Sequence, residues 1–189
     1  MKKNNQTRCG WAEGDLLMQA YHDKEWGVPL HNDQKLFEFL ILEGAQAGLS
    51  WRTVLYRREG YRRAFHQFDA KKMAAMGAKD ILRLMKNPGI IRNRLKIISA
   101  IENAKACLRI KEEFGSLDRY LWSFVGKRKI THRLPTYRHL PTTIPESEAM
   151  SKDLKSRGFN FVGSTICYAF MQATGMVDDH QAGCSWGKR

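Results

Sequence analysis

Four residues of metal-binding type lie near the two ends of the chain: Cys9 and His22 at one, His180 and Cys184 at the other. Two thiolates and two imidazoles form a donor set that holds tetrahedral Zn2+. One helical turn or a tight loop can aim His180 and Cys184 at a single point, and Cys9 and His22 can close a loop onto the same point. With four protein donors no position stays open for water, so such an ion would be structural, one per chain. Spacing alone, without a Cys-x-x-Cys pair, leaves zinc and four unrelated residues equally open.

A second chemical feature is a lone acid. Glu43 follows Phe39-Leu40-Ile41-Leu42 directly and precedes Gly44-Ala45-Gln46-Ala47-Gly48-Leu49-Ser50-Trp51. A carboxylate in apolar surroundings is costly unless a partner or a ligand satisfies it. Gln46 lies about one turn further along, and the small neighbours leave room for something flat. Tyr21, Trp26 and Trp51 can wall such a pocket, because aromatic faces stack on bases and attract cations. Taken alone, a Glu43 paired with an arginine is the simpler reading.

The third feature is a basic turn. Leu84-Met85-Lys86-Asn87-Pro88-Gly89-Ile90-Ile91-Arg92-Asn93-Arg94-Leu95-Lys96 ends one helix and starts another within a few residues. Gly89 lets the backbone approach a ligand closely. Amides at the start of the next helix favour an anionic oxygen, and Arg92, Arg94 and Lys96 add charge there. Ile90 and Ile91 can anchor the turn. This is the physical recipe for a helix-hairpin-helix that grips a nucleic-acid backbone without reading bases. The chain carries 32 Lys and Arg against 19 Asp and Glu, a net charge of +13, which suits a polyanion. A second basic group is Lys127, Arg128, Lys129, Arg133 and Arg138.

The elements that must position these groups read as helices. Leu36, Phe37, Leu40 and Ile41 recur at helical spacing after Asp33, the expected N-cap. Ser50 is expected to cap a helix running through Trp51, Val54, Leu55 and Tyr61. Asp69 opens a short helix ended by Gly77, and Asp80 lies near the start of another. The longest periodic stretch follows Pro88-Gly89, through Ile97, Ile101, Ala104 and Leu108. Ser116 starts a further helix, residues 127–145 read as a loop with three prolines, and 146–157 and 162–174 read as helices. No strand pattern of useful length appears, so the expected fold is all-α. One domain spans 1–189, with two possible lobes, about 33–115 holding the hairpin and 1–32 plus 116–189 holding the metal set. No apolar run approaches the roughly 18 residues of a membrane span, and no apolar stretch follows Met1-Lys2-Lys3 as in a secretory signal. A cytoplasmic location follows as an expectation, with Cys107 and Cys167 as buried thiols.

Several blocks together resemble the bacterial 3-methyladenine DNA glycosylase I family: Arg8-Cys9-Gly10-Trp11, Tyr21-His22-Asp23-Lys24-Glu25-Trp26-Gly27, residues 42–51, and Phe161 to Tyr168 through His180 and Cys184. The resemblance runs from about Arg8 to Cys184. It implies a helix-hairpin-helix DNA glycosylase with structural Zn2+ held by Cys9, His22, His180 and Cys184. It implies that Glu43 hydrogen-bonds the excised base and that Tyr21 and Trp51 stack on it; Gln46 and Trp26 join the pocket on the reading of the residues above. Leu49 would fill the space vacated in the base stack, and Gly89 to Lys96 would meet the DNA backbone. Where family members can carry a second pocket tyrosine, this chain has Met18. The expected activity is monofunctional hydrolysis of 3-methyladenine from alkylated double-stranded DNA by a monomer. Free 3-methyladenine would be the product, and no membrane partner is expected. A non-catalytic hairpin module with a degenerate pocket is the alternative.

Overall fold

The computed structural model describes residues 7–136 and 139–187. Among these the chain forms ten α-helices in the order α1 (Leu16–Lys24), α2 (Asp33–Gln46), α3 (Trp51–Leu55), α4 (Arg58–Ala64), α5 (Ala70–Ala74), α6 (Ala78–Met85), α7 (Arg94–Phe114), α8 (Leu117–Ser123), α9 (Pro145–Ser156) and α10 (Ser164–Ala173). The all-α expectation holds.

Most helix starts have a polar side chain taking up an orphan amide. Asp15 accepts from Leu17 and Met18 to open α1, Asn32 from Lys35 for α2, Ser50 from Thr53 for α3, and Ser116 from Arg119 for α8. Asp33 is therefore the first residue of α2 and not its cap. Periodicity alone missed α1, although Asp15 signals it. The helix expected from Ser50 to Tyr61 breaks into α3 and α4 at Tyr56 and Arg57. Gly77 caps the start of α6, whereas α5 already ends at Ala74. In the expected loop after Lys127, Ile130–Thr131 (β1) pairs in parallel with Val177–Asp178 (β2). Two residues are too few to show alternation.

Helix α2 is the centre of the fold. Leu36 through Ala45 are all buried, and the helix packs against α3, α7, α8 and α10. A helix apolar on every side belongs inside a core. Its two buried acids differ sharply. Glu38 is held by Arg58 at 2.5 Å and Arg62 at 2.8 Å, whereas Glu43 has no such partner. The chain ends also meet, since Ser185 N–H donates to the Thr7 carbonyl at 2.9 Å and Gly10 N–H to Gln181 Oε1 at 2.9 Å. No helix among the described residues is long and apolar enough to cross a membrane.

The turn between α6 and α7 is set by α4. A Cβ on Gly60 would come within 2.0 Å of the Gly89 carbonyl oxygen, so the two backbones touch. Gly60→Ala must push α4 and the turn apart, an overpacking cost of about 3 kcal/mol. Urea unfolding of the variant should show that loss, and wild-type stability would refute the contact.

Candidate active site

A cavity of about 270 Å3 opens between α1, α2, α3 and α10, lined by Trp11, Met18, Tyr21, Trp26, Glu43, Gln46, Trp51, Leu140, Ala169 and Gln172. A neighbouring recess of about 360 Å3 shares Glu43, Gln46 and Ala169 and adds Ala47, Gly48, Leu49, Thr165 and Ile166. Glu43 and Gln46 thus sit where the two spaces meet. All seven residues expected around a base, Met18, Tyr21, Trp26, Glu43, Gln46, Leu49 and Trp51, line one space or the other.

Glu43 is 3% exposed. Burial alone pushes its carboxyl from 4.5 up to about 8, because charge is costly in a low-dielectric site. No hydrogen bond or ion pair reaches it among the described residues. The internal arginine, Arg58, spends its guanidinium on Glu38 and on Glu25 at 2.7 Å. Tyr21 and Trp51 rings lie 5.2 Å apart at 45°, and Phe39 backs Trp51 at 6.4 Å. Burial, then the charge of Glu43, raises the Tyr21 phenol. Trp51 Nε1 is buried and unpartnered. A buried indole N–H without a partner and a buried acid share one ring-lined space, which calls for a polar, flat occupant. Leu49 stands at the rim, 41% exposed, after Gly48 at φ 74°.

Behind Trp26 lies the metal set. Ligand atoms of Cys9, His22 and Cys184 lie within 4.8 Å of one another, all buried. His180 adjoins them, its ring 5.1 Å from that of His22 and 4.7 Å from Trp26. Each histidine is oriented through Nδ1, His22 by Asp23 at 2.9 Å and His180 by Asp178 at 2.7 Å. That leaves His180 Nε2 buried with no partner. The Gln181 amide points at Cys9 Sγ from 3.4 Å, and burial pushes the Cys9 thiol up to about 12. Two thiols and an imidazole gathered at one point fit a cation such as Zn2+, and His180, outside that group of three, keeps an orphaned nitrogen. Asp179, adjoining Asp178, makes no hydrogen bond to this donor set among the described residues. It binds Tyr168, Gln172 and His132 instead.

The basic turn is partly corrected. Arg92 and Arg94 are exposed, as is Leu95 at 68%. The amides of Gly89 and Ile90 turn to Asn87, and that of Ile91 to the Tyr61 hydroxyl at 3.4 Å. Asn93 caps Lys96 N, which leaves the amides of Arg94 and Leu95 without a side-chain cap at the start of α7. Ile90 is buried and anchors the turn. Lys96 turns inward, donating to the carbonyls of Ala45 at 2.8 Å and Ala47 at 2.6 Å. It closes the end of α2 next to Glu43, a task spacing could not reveal. Lys129 and Arg133 likewise reach Asp178, at 3.2 and 3.5 Å. Arg138 lies outside the described residues.

The family model for methyladenine glycosylases matches residues 11–187. The chain belongs to the methyladenine glycosylase family. It is 52% identical over 177 residues to Escherichia coli DNA-3-methyladenine glycosylase 1, covering 94% of this chain and 95% of that protein. Among solved structures, a crystal structure of 3-methyladenine DNA glycosylase I is 51% identical with a TM-score of 0.93, covering 95% of this chain and 98% of that one. A tyrosine-to-phenylalanine variant of a 3-methyladenine DNA glycosylase I, in complex with 3-methyladenine, is 35% identical with a TM-score of 0.93. It covers 96% of this chain and 98% of that one.

In this methyladenine glycosylase, residue-level reading missed Trp11, Leu140, Ala169 and Gln172 on the cavity wall. Gln172 had a signal, a single amide within the apolar run of α10, the same oddity that marks Glu43. Trp11 could have been found from its position two residues after Cys9. Glu43 also gives a stability test. Between pH 4.5 and about 8 its carboxyl is ionised in the unfolded chain and protonated in the folded one, so folding takes up a proton. Stability contributed by that proton is present below this window and is lost as pH rises through it, on the order of 4 kcal/mol in all. Glu43→Gln should therefore gain stability over the wild type progressively from pH 4.5 to 8. A pH-independent difference in urea midpoints would contradict the buried neutral acid.

Proposed function

We propose that this chain removes 3-methyladenine from alkylated double-stranded DNA by hydrolysing the N-glycosidic bond, leaving an abasic site. The observation that carries this reading is Glu43, a buried acid with no protein partner, facing a cavity walled by Tyr21 and Trp51. Methylation at N3 makes adenine cationic and a good leaving group, so the protein has little chemical push to supply. It must extrude the nucleotide, at a few kcal/mol for unstacking. Tyr21 and Trp51 then stack on the purine, and Glu43 meets its polar edge. A cation raises the ionised fraction of an acid poised near 8, so the damaged base is favoured over ordinary adenine. Arg92 and Arg94 hold phosphate on one side, and Leu49 enters the gap left in the stack.

Among the described residues no lysine lines either space around Glu43. Lys96, the one beside Glu43's helix end, has its ammonium engaged by two carbonyls, which supports hydrolysis without strand cleavage. Incubation with alkylated duplex DNA should release 3-methyladenine. Glu43→Gln should slow release at least tenfold and weaken binding of the free base. Salt-sensitive DNA binding without any released base would instead mark a non-catalytic module. A borohydride-trapped protein–DNA adduct would overturn the monofunctional reading.

Cys9, His22, His180 and Cys184 would hold one Zn2+, which supplies no chemistry to the reaction and keeps the buried thiols as thiolates. Held there, the ion would tie α1, through His22, to the C-terminal segment, against which Trp26 of the pocket wall packs through His180. Elemental analysis should find one zinc per chain. Chelation should lower the melting temperature by an amount worth several kcal/mol. Metal-free protein of full stability would exclude this clasp.

A further inference from the structure

The cavity has a second polar group whose orientation is fixed from behind. Asp179 is buried, and three hydrogen-bonding groups converge on its carboxylate. Tyr168 hydroxyl donates at 2.5 Å and Gln172 Nε2 at 2.6 Å, both to Oδ2, while His132 Nδ1 lies 2.7 Å from Oδ1. A carboxylate accepts and does not donate, so the Gln172 amide must turn its NH2 toward Asp179. Its carbonyl oxygen is then the end left for the cavity that Gln172 lines beside Glu43. No hydrogen bond to that oxygen is formed among the described residues. Its main chain is held as well, since Gly27 N–H donates to the Gln172 carbonyl at 2.9 Å. Rotation of the amide would set NH2 against nothing and a carbonyl against a carboxylate.

We infer that Gln172 Oε1, oriented by Asp179, is a second acceptor for the 6-amino group of the extruded purine and selects amino-bearing over oxo-bearing bases. This rests on the glycosylase reading above. An adenine offers two N–H bonds at that position, whereas a 6-oxo purine presents a lone pair. A 6-oxo base would meet the Gln172 oxygen with like polarity and leave it unsatisfied, a cost typical of an unmade buried hydrogen bond. Gln172 acts on the base directly. Asp179 is a positioning residue.

The test titrates wild type and Gln172→Met with free 3-methyladenine and with 3-methylhypoxanthine, read by tryptophan fluorescence. Gln172→Met keeps the length of the side chain and removes the acceptor. Its affinity for 3-methyladenine should fall about tenfold, with that for 3-methylhypoxanthine not falling and rising where the like-polarity contact is relieved, so the preference narrows. Asp179→Asn frees the amide to turn over and should narrow the preference in the same direction, which keeps the inference testable if Gln172→Met does not fold. Tyr168→Phe removes a different donor from Asp179 and should leave the preference intact. Equal weakening for both bases in Gln172→Met would mean a merely structural role and overturn the inference. So would an unchanged preference while wild type still releases 3-methyladenine from alkylated DNA. A wild type that releases no base at all would remove the glycosylase reading, and this inference with it.

Discussion

One constraint organises the molecule: a buried carboxylic acid has no hydrogen-bond or ion-pair partner among the described residues. Glu43 lies on α2, a helix whose sides are taken up by α3, α7, α8 and α10. Burial that raises its carboxyl to about 8 is a standing cost of the empty protein. The same helix shows what a satisfied acid looks like, because Glu38 is gripped by two arginines. The contrast between two buried glutamates on one helix locates the site better than cavity size does. A hollow of about 650 Å3 between α2, α5 and α7 is more than twice the volume of the cavity at Tyr21, yet its charged groups Asp33 and Lys111 are already paired with each other.

Around that acid, separate devices converge on the same few ångströms. Trp26 packs against His180 on one side and lines the cavity on the other, so order in the Cys9, His22, Cys184 cluster reaches the pocket wall. Lys96, at the start of α7, closes the end of α2 through Ala45 and Ala47. The turn proposed to meet DNA backbone is thereby bonded to the helix that carries Glu43. Gly60 against Gly89 fixes the turn from its other face. The basic turn and the cavity at Glu43 are thus linked through short, rigid contacts and not through a loop, the arrangement that keeps a site's geometry precise.

Much of this was legible beforehand. Cys9, His22, His180 and Cys184 stood out by residue type, Glu43 by its apolar neighbours, and Gly89 to Arg94 by turn chemistry and charge. The caps at Ser50, Asp69 and Ser116 held because capping is a local hydrogen bond between near neighbours in sequence. Failures were of two kinds. Helix α1 carries too little apolar periodicity to be seen, and β1 and β2 find each other only across 47 residues. Lys96 was misjudged because its partners Ala45 and Ala47 lie 51 and 49 residues away, and Gln172 was missed because its role lies in which atom faces which.

Sequence by itself determined the inventory: a helical chain, a Cys2His2 donor set, one acid in apolar surroundings, aromatic residues to flank it, and an excess of positive charge. Those are matters of composition and local spacing, which short-range physics fixes. Tertiary structure decided which charges are left over. Arg58 could have neutralised Glu43 and was instead committed to Glu38 and Glu25. Lys96 could have faced solvent and was instead turned onto α2. Pairing among buried ions depends on distances that only the packed chain sets, since Coulomb and desolvation energies change steeply with position.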